Sequence, residues 1–342
     1  MIFILPIIIG ITLNKHLNRK NLTLLIGLMY TIISSLRSVH VGYDTMSYYH
    51  RFTTSEYMTF DGIFREYADE PSYYLLCKIV NLCGGDFQIL LLIIGILSMF
   101  AVSRLIYKYS PSIVTSFAML VPLQYYGFML SAERQTIAIS LVLLGVQFIF
   151  NRQLIKYLIC IVIAYSFHNS VIVAFPLYFC FIKTLDSKKR FLALLLIPIL
   201  YAAKSTILNY GLSLMYSDYS AYDNEQGSYV TLVLYFTFWV LYILTKPKET
   251  NSMYNFFEAT AIIGIIIQLF VPLEPNIFRV AFYYQIFNIV LLPIAISNIK
   301  KNFVIKNIGY VTTIVILAVM YFVFTFTANG VNPYTFFWEV HI

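Results

Sequence analysis

The feature that most limits the fold of this chain is its series of long apolar runs. The run from Phe87 to Tyr107 contains only four polar or charged residues, Gln88, Ser98, Ser103 and Arg104. A transmembrane helix needs about 20 predominantly apolar residues, and this run supplies them. Of the 342 residues, 60% are hydrophobic and 11% are charged, against about 25% charged in soluble domains. We therefore predict an all-α, polytopic integral membrane protein.

Repetition of such runs predicts about 12 transmembrane helices. The runs are 1–13, 22–36, 87–107, 112–130, 134–150, 154–168, 170–182, 191–203, 229–245, 255–271, 279–297 and 308–328. Phe167-His168-Asn169-Ser170 lies in the middle of residues 154–182, so we expect two short helices that meet there. No Gly/Ser-rich linker divides the chain. The prediction is one transmembrane domain over 1–342, with an extended outer loop at 37–86.

Basic residues orient these crossings. With twelve crossings, six basic groups share one membrane face: Lys15, Arg19 and Lys20; Arg104 and Lys108; Arg152 and Lys156; Lys183, Lys188, Lys189 and Arg190; Lys246 and Lys248; Lys300, Lys301 and Lys306. The positive-inside rule makes this face cytoplasmic, and it accounts for much of the net charge of +7 without a nucleic-acid partner. The apolar segment 72–83 then lies outside and is predicted to be an interfacial or re-entrant helix.

Acidic, aromatic and histidine side chains gather near the predicted outer face. Asp44 follows Gly42 and Tyr43 in a segment that either binds sugar rings or forms an ordinary interfacial tyrosine belt. Glu70 precedes an apolar helix, where it either favours the helix dipole or guides an acceptor hydroxyl. His168 lies at the expected helix break, as a structural residue or as part of a polar cavity.

Three arginines stand at the outer ends of crossings, namely Arg37, Arg134 and Arg279. An arginine that opens a helix opposes the helix dipole, and Arg134 and Arg279 also lie away from the basic face. A guanidinium binds phosphate oxygens in two-pronged geometry. Together the three arginines are candidates for holding a diphosphate.

At these residues the chain resembles the EpsG-like family of Wzy-type polysaccharide polymerases. The matching features, in the family's order, are Arg37 with Gly42-Tyr43-Asp44 and Tyr48, the Glu70 segment, Arg134-Gln135 with Ala138, Phe167-His168 with Ser170, and Arg279. Each motif is short, so the specificity lies in their order and spacing. The resemblance implies a GT-C-like membrane glycosyltransferase in the bacterial inner (cytoplasmic) membrane, with its active site facing the periplasm or outside.

The reaction implied by the resemblance is transfer of a glycan chain from undecaprenyl diphosphate to a hydroxyl of the next lipid-linked repeat unit. The arginines would hold the diphosphate, and His168, Asp44 and Glu70 compete for the catalytic role. Tyr43, Tyr48 and Tyr283 would contact the glycan. Implied partners are the undecaprenyl diphosphate-linked oligosaccharide, membrane lipid and a chain-length regulator. Because the chain has no Asp-x-Asp motif, we expect no metal or other cofactor.

Three other functions remain open. A flippase or transporter of lipid-linked oligosaccharide would also be polytopic, although it should place polar groups along a path to the cytoplasm. An O-antigen ligase-like transferase would use the same donor with a different acceptor. A membrane acyltransferase would use His168 as its catalytic residue.

The charge distribution gives a testable topology. Reporter tags inserted at Lys188 and Lys248 should report the cytoplasm, and tags near Asp61 and Asn224 should report the outside, because the basic groups share one face. A cytoplasmic signal from the tag near Asp61 would contradict this arrangement.

Overall fold

The computed structural model describes residues 2–181, 185, 187–213, 229–246, 251–274, 276–299 and 330–339. Within these residues the chain is helical and has no β-strand, so the all-α prediction is confirmed for them. The chain divides into two compact units, Met1–Phe175 with Ile299–Ile342, and Pro176–Asn298.

The first unit contains the helices that carry most of the predicted site. Its α-helices are α1 (Leu5–Leu13), α2 (Arg19–Ser35), α3 (Thr45–Tyr57), α4 (Phe60–Glu66), α5 (Pro71–Leu82), α6 (Phe87–Tyr109), α7 (Ile113–Ala118), α8 (Tyr125–Ser131), α9 (Glu133–Phe150) and α10 (Leu154–Tyr165). Short 3-10 helices occupy Ile2–Ile4 and Phe337–Glu339, and a longer one, Asn169–Cys180, runs into the second unit.

The second unit is also helical. It contains α11 (Ser187–Ser213), α12 (Val230–Thr245), α13 (Ser252–Gln268), α14 (Ile277–Gln285) and α15 (Asn288–Ile299). A buried ion pair joins two of them, because Arg190 on α11 donates from both Nε and Nη2 to the carboxylate of Glu258 on α13.

Close packing of α2 against α6 is made possible by small residues. A Cβ added at Gly27 would overlap Ser103 Oγ, and one added at Gly95 would overlap Ser34 Oγ. Small residues let helices approach closely in lipid, where the hydrophobic effect does not drive one helix against another. This contact holds together α2, which ends just before Arg37, and α6, which begins just before Gln88.

The predicted outer loop at 37–86 is mostly helical, since it contains α3, α4 and α5. Thr59 caps α4 by accepting a hydrogen bond from the Gly62 amide at 3.0 Å, and Pro71 opens α5, a position that needs no amide donor. The helix predicted at 72–83 is therefore confirmed as a helix. Its interfacial or re-entrant position stays a prediction.

The predicted break within residues 154–182 is confirmed. The α10 helix ends at Tyr165, and the 3-10 helix begins at Asn169. Ser72 attaches α5 to this break, because its amide donates to the Ser166 carbonyl at 3.1 Å and its hydroxyl donates to the Ser166 hydroxyl at 2.7 Å. This attachment brings Glu70, which precedes α5, close to His168, which lies at the break.

The run 112–130 was predicted as one crossing, but it is broken into α7 and α8. Pro122 lies between them, and proline in a helix removes an amide donor and clashes with the preceding turn. Gln124 then adopts a left-handed conformation with φ of 62° before α8 begins. The apolar run alone did not reveal this break.

Among the described residues, three helices are long and apolar enough to cross a membrane by themselves: α6, α9 and the part of α11 from Lys188 to Ile207. The pair α14 and α15, bent by 48°, makes a fourth if it forms one span. Further apolar helices are shorter, and the predicted crossing at 308–328 lies outside the described residues. About twelve crossings and a GT-C-like arrangement therefore stay predictions.

The segment 330–339 returns to the beginning of the outer segment. Its Thr335 carbonyl accepts from the Ser38 amide at 2.9 Å, and its Gly330 carbonyl accepts from the Gly42 amide at 2.9 Å. This segment thus packs against the stretch that links α2 to α3, next to Arg37.

Candidate functional site

Glu70 is the centre of the candidate site. Its Oε1 lies 3.0 Å from His168 Nδ1 and accepts a hydrogen bond from the Asn169 amide at 2.8 Å. Its Oε2 accepts a hydrogen bond from Arg134 Nη1. One carboxylate therefore joins the start of α5, the start of α9 and the break after α10.

The partners of Glu70 keep it ionised. Burial by itself would raise the pKa of this carboxyl, but hydrogen bonds from His168 and Asn169 and the charge of Arg134 outweigh it, so the pKa is lowered. An ionised carboxylate only accepts hydrogen bonds. The proton in the bond to His168 must therefore sit on Nδ1, and the other ring nitrogen, Nε2, is directed away from Glu70.

A second ion pair lies beside the first and is closed to solvent. Arg37 Nη2 donates to Glu133 Oε1 at 3.2 Å, and the two side chains are 3% and 0% exposed. Tyr73 donates its hydroxyl to Glu133 Oε2 at 2.7 Å, and Arg37 Nη1 donates to the Ser34 carbonyl. This pair connects the end of α2, α5 and the first turn of α9. Its charges are closed to solvent.

Tyr48 links the two ion pairs. Its side chain lies close enough to Arg134 and Glu133 to interact electrostatically with both, and its ring packs against the Tyr73 ring at a centroid distance of 5.2 Å. The guanidinium of Arg51 lies 5.6 Å above the Tyr48 ring and 6.0 Å above the Tyr74 ring. A cation near aromatic faces in this way is attracted by their negative charge density.

The segment before α3 borders this cluster. Gly42 has φ of +103° and would place a Cβ against the Leu130 carbonyl, so only glycine fits the turn. The Asp44 amide donates to Ser131 Oγ at 3.3 Å, and Asp44 is close enough to influence Tyr48 electrostatically. Tyr43 is 70% exposed.

Arg279 and Tyr283 lie on α14 in the second unit. Arg279 is exposed at the beginning of the helix, whereas Tyr283 is fully buried. Their convergence with the residues of the first unit stays a prediction.

The structure brings together most of the residues that the sequence singled out in the first unit. Hydrogen bonds join Glu70 directly to His168 and Arg134, and Tyr48 lies beside Arg134. Sequence reasoning did not identify the carboxylate partner of Arg37, which is Glu133, the residue beside Arg134. Nor did it single out Arg51, whose guanidinium lies above the Tyr48 and Tyr74 rings. The available signal was that Arg51 follows two tyrosines closely in sequence and lies away from the basic face.

A small cavity lies next to this cluster. It has a volume of about 180 Å³ and is lined by Ser38, Val39, Tyr49, Asp86, Phe87, Gln88 and Phe337. Gln88 Nε2 donates to the Arg37 carbonyl at 3.2 Å, whereas its buried Oε1 has no hydrogen-bond partner among the described residues. Aromatic rings, a carboxylate and an amide therefore line this cavity.

The cluster offers proton transfer and anion binding. His168 and Arg134 have side chains that are 19% and 22% exposed, so a substrate can reach them. Arg134 Nε is buried and has no acceptor among the described residues. Among the residues that the structure describes, no group of three His, Cys, Asp or Glu side chains could hold a metal ion.

Replacing Glu70 with Gln should lower the free energy of unfolding by about 2 kcal/mol at neutral pH, because charged hydrogen bonds are lost. The lowered pKa means that this stabilisation is complete above the ordinary carboxyl pKa of about 4 and disappears as the pH falls through the lower folded value. Thermal unfolding of detergent-purified wild type and E70Q should therefore differ at pH 7 and converge at acid pH. D61N is the control, because Asp61 pairs with Arg65 at the surface. A difference that persists unchanged in acid would contradict the ionised pair.

Comparison with known proteins gives one family. A model of the EpsG family matches residues 20–336, which include every predicted site residue. No curated protein and no solved structure matches the chain. The family and the apolar helices fit a membrane protein with a polysaccharide polymerase-type role. Because the match covers nearly the whole chain, the protein belongs to the EpsG family, a family of Wzy-like polysaccharide polymerases.

Proposed function

We propose that this protein transfers a growing glycan from undecaprenyl diphosphate to a hydroxyl of the next lipid-linked repeat unit. The observation that carries the proposal is the double role of Glu70, which accepts hydrogen bonds from both His168 and Arg134. Glycosyl transfer to a hydroxyl needs a proton acceptor beside the nucleophile and cationic donors beside the leaving diphosphate. Glu70 holds one group of each kind.

His168 is the proposed general base. The acceptor oxygen forms a bond to the anomeric carbon of the donor, and the bond from that carbon to the diphosphate oxygen breaks. The hydroxyl proton passes to His168 Nε2, and the Glu70 carboxylate at Nδ1 stabilises the resulting imidazolium. This is the division of labour between histidine and carboxylate in catalytic triads. Glu70 is thus a positioning residue, because its lowered pKa makes it a weak base.

Arg134 is the proposed contact to the diphosphate. One of its nitrogens binds Glu70, which fixes the guanidinium, and its Nε donates to no described acceptor. The pairs Arg37–Glu133 and Arg134–Glu70 sum to zero charge, so a dianion needs further cations. Arg51, which makes no ion pair with a described carboxylate, supplies one. Arg279, near the start of α14, is the other proposed cation.

Aromatic side chains would bind the glycan. Tyr43 is exposed, and Tyr49 lines the small cavity with Asp86 and Gln88. Tyr48 and Tyr283 are 5% and 0% exposed, so a sugar would reach them only if their neighbours moved. We therefore assign sugar stacking first to Tyr43 and Tyr49.

The proposal includes the predicted setting in the membrane. About twelve crossings in a GT-C-like arrangement would place the Glu70 cluster at the outer face of the bacterial inner membrane. There the donor and acceptor lipids meet, and a chain-length regulator would act on the same complex. Support for this orientation comes from the basic groups on the opposite face.

An assay with purified full-length protein and an undecaprenyl diphosphate-linked repeat unit tests the proposal. Wild type should form a ladder of polymers, and H168A should slow it by about 100-fold or more, the contribution of a general base. The control is H50A, since His50 is an exposed histidine on α3. Translocation without a ladder would indicate a flippase, and transfer only to a different acceptor would indicate a ligase. A ladder of normal rate from H168A would remove the base assignment.

The arginine assignment is tested in the same assay. R134A and R279A should abolish polymer while the protein remains inserted, and Lys at either position should restore little activity, because an ammonium lacks the planar fork that fits phosphate oxygens. R65A serves as the matched control, as Arg65 is 80% exposed and its ion pair among the described residues is with its helical neighbour Asp61. Normal polymer yield from both alanine variants would contradict the diphosphate role.

A further inference from the structure

A second cavity lies between α2 and α6, far from the Glu70 cluster. It has a volume of about 400 Å³ and is lined by Lys20, Thr23, Leu24, Phe100, Ser103, Arg104 and Tyr107. Gln88 near the other end of α6 contacts the Arg37 carbonyl. Arg104 follows Gln88 by 16 positions, which is a rise of about 24 Å in an α-helix. The hydrocarbon core of a membrane is about 30 Å thick, so the cavity and the candidate site lie near opposite surfaces.

The cavity is cationic, and the stretches of sequence that line it contain no acidic residue. No Asp or Glu occurs in residues 1–43, 87–132 or 134–185, which contain α1, α2, α6, α7, α8, α10 and most of α9. Arg19 is satisfied by the last carbonyls of α6, at Ile106, Tyr107 and Ser110. Lys20 and Arg104, by contrast, make no ion pair with a described carboxylate. Arg104 binds the neutral amide of Gln147.

Apolar side chains continue from these cations. Leu24 is 56% exposed, Phe100 is 55% exposed and Tyr107 is 43% exposed, whereas the hydroxyl-bearing Thr23 and Ser103 are buried. The cavity thus combines two cations and two hydroxyl groups with an exposed apolar flank. An anion with an attached hydrocarbon chain matches both parts, and a free anion matches only the first.

We propose that this cavity binds the phosphate-bearing headgroup of an anionic phospholipid, with an acyl chain along Leu24 and Phe100. Lys20 and Arg104 contact the phosphate, since basic pockets between membrane helices bind anionic headgroups in this way. Ser103 donates a hydrogen bond to the same group. The site does not depend on the proposed polymerase function, because it shares no residue with the Glu70 cluster.

Lipid binding to the purified full-length protein tests the proposal. Native mass spectrometry measures the bound phosphatidylglycerol for wild type, for K20Q/R104Q and for the control K15Q/K156Q. The control removes two cations of the same predicted membrane face from outside the cavity. We expect the cavity variant to bind phosphatidylglycerol about tenfold more weakly than wild type, and the control to stay within about twofold of wild type.

Three competitors separate an anionic lipid from the other sources of phosphate. Short-chain phosphatidylglycerol should displace the bound lipid at concentrations at which inorganic phosphate and phosphatidylcholine do not. Displacement by inorganic phosphate at equal concentration would indicate a free-anion site and overturn the proposal, as would equal binding of phosphatidylcholine. If K20Q/R104Q does not elute as a folded protein, K20E replaces it, since Lys20 is exposed. Unchanged phosphatidylglycerol binding by K20E would also overturn the proposal.

Discussion

Two carboxylates in the first unit determine how its segments meet, because a carboxylate away from water needs hydrogen-bonding or charged partners. Glu133 is fully buried and Glu70 is 9% exposed. Each binds a guanidinium and at least one further donor. These partners come from the end of α2, from α5, from α9 and from the break after α10. Separation of these segments would leave a buried charge alone, which costs about 3–5 kcal/mol.

The two ion pairs do different work because they differ in exposure. The Arg37–Glu133 pair is sealed and has its remaining oxygen bound by Tyr73, so it holds helices together and keeps its charge from substrate. The Arg134–Glu70 pair is reachable. In this pair, Arg134 Nε has no acceptor among the described residues. The imidazole of His168 is oriented by its hydrogen bond to Glu70. Tyr48 and Tyr73 bridge the pairs, so the anchored pair limits the movement of the reactive one. This rigidity suits a site that must direct one hydroxyl at one carbon.

Much of the candidate site could be predicted from sequence, because charges are rare in this chain and each one needs a reason. Glu70, Arg134 and His168 stood out as polar groups at the ends of apolar runs, and the break at His168 followed from the length of residues 154–182. The pairing could not be predicted. Arg37 had both Glu70 and Glu133 available, and the choice depends on how α5 approaches α9. The helices α3 and α4 were missed because their polar, aromatic composition lacks a long apolar run, and the break near Pro122 was hidden inside such a run.

In the α2–α6 pair, one distribution of charge accounts for both the predicted membrane orientation and the proposed lipid site. At one end of the pair, the chain supplies its own carboxylates, and Arg37 is neutralised by Glu133. At the other end, Lys20 and Arg104 have no acidic residue in any adjoining stretch of sequence. The unpaired end has its lowest free energy in the leaflet that carries more negative lipid, which is the cytoplasmic one. The paired end carries almost no net charge and would cross to the outer surface at less cost. The absence of acids from 1–43 and 87–132 therefore predicts the orientation of these helices and, through the same two cations, supports the proposed lipid site.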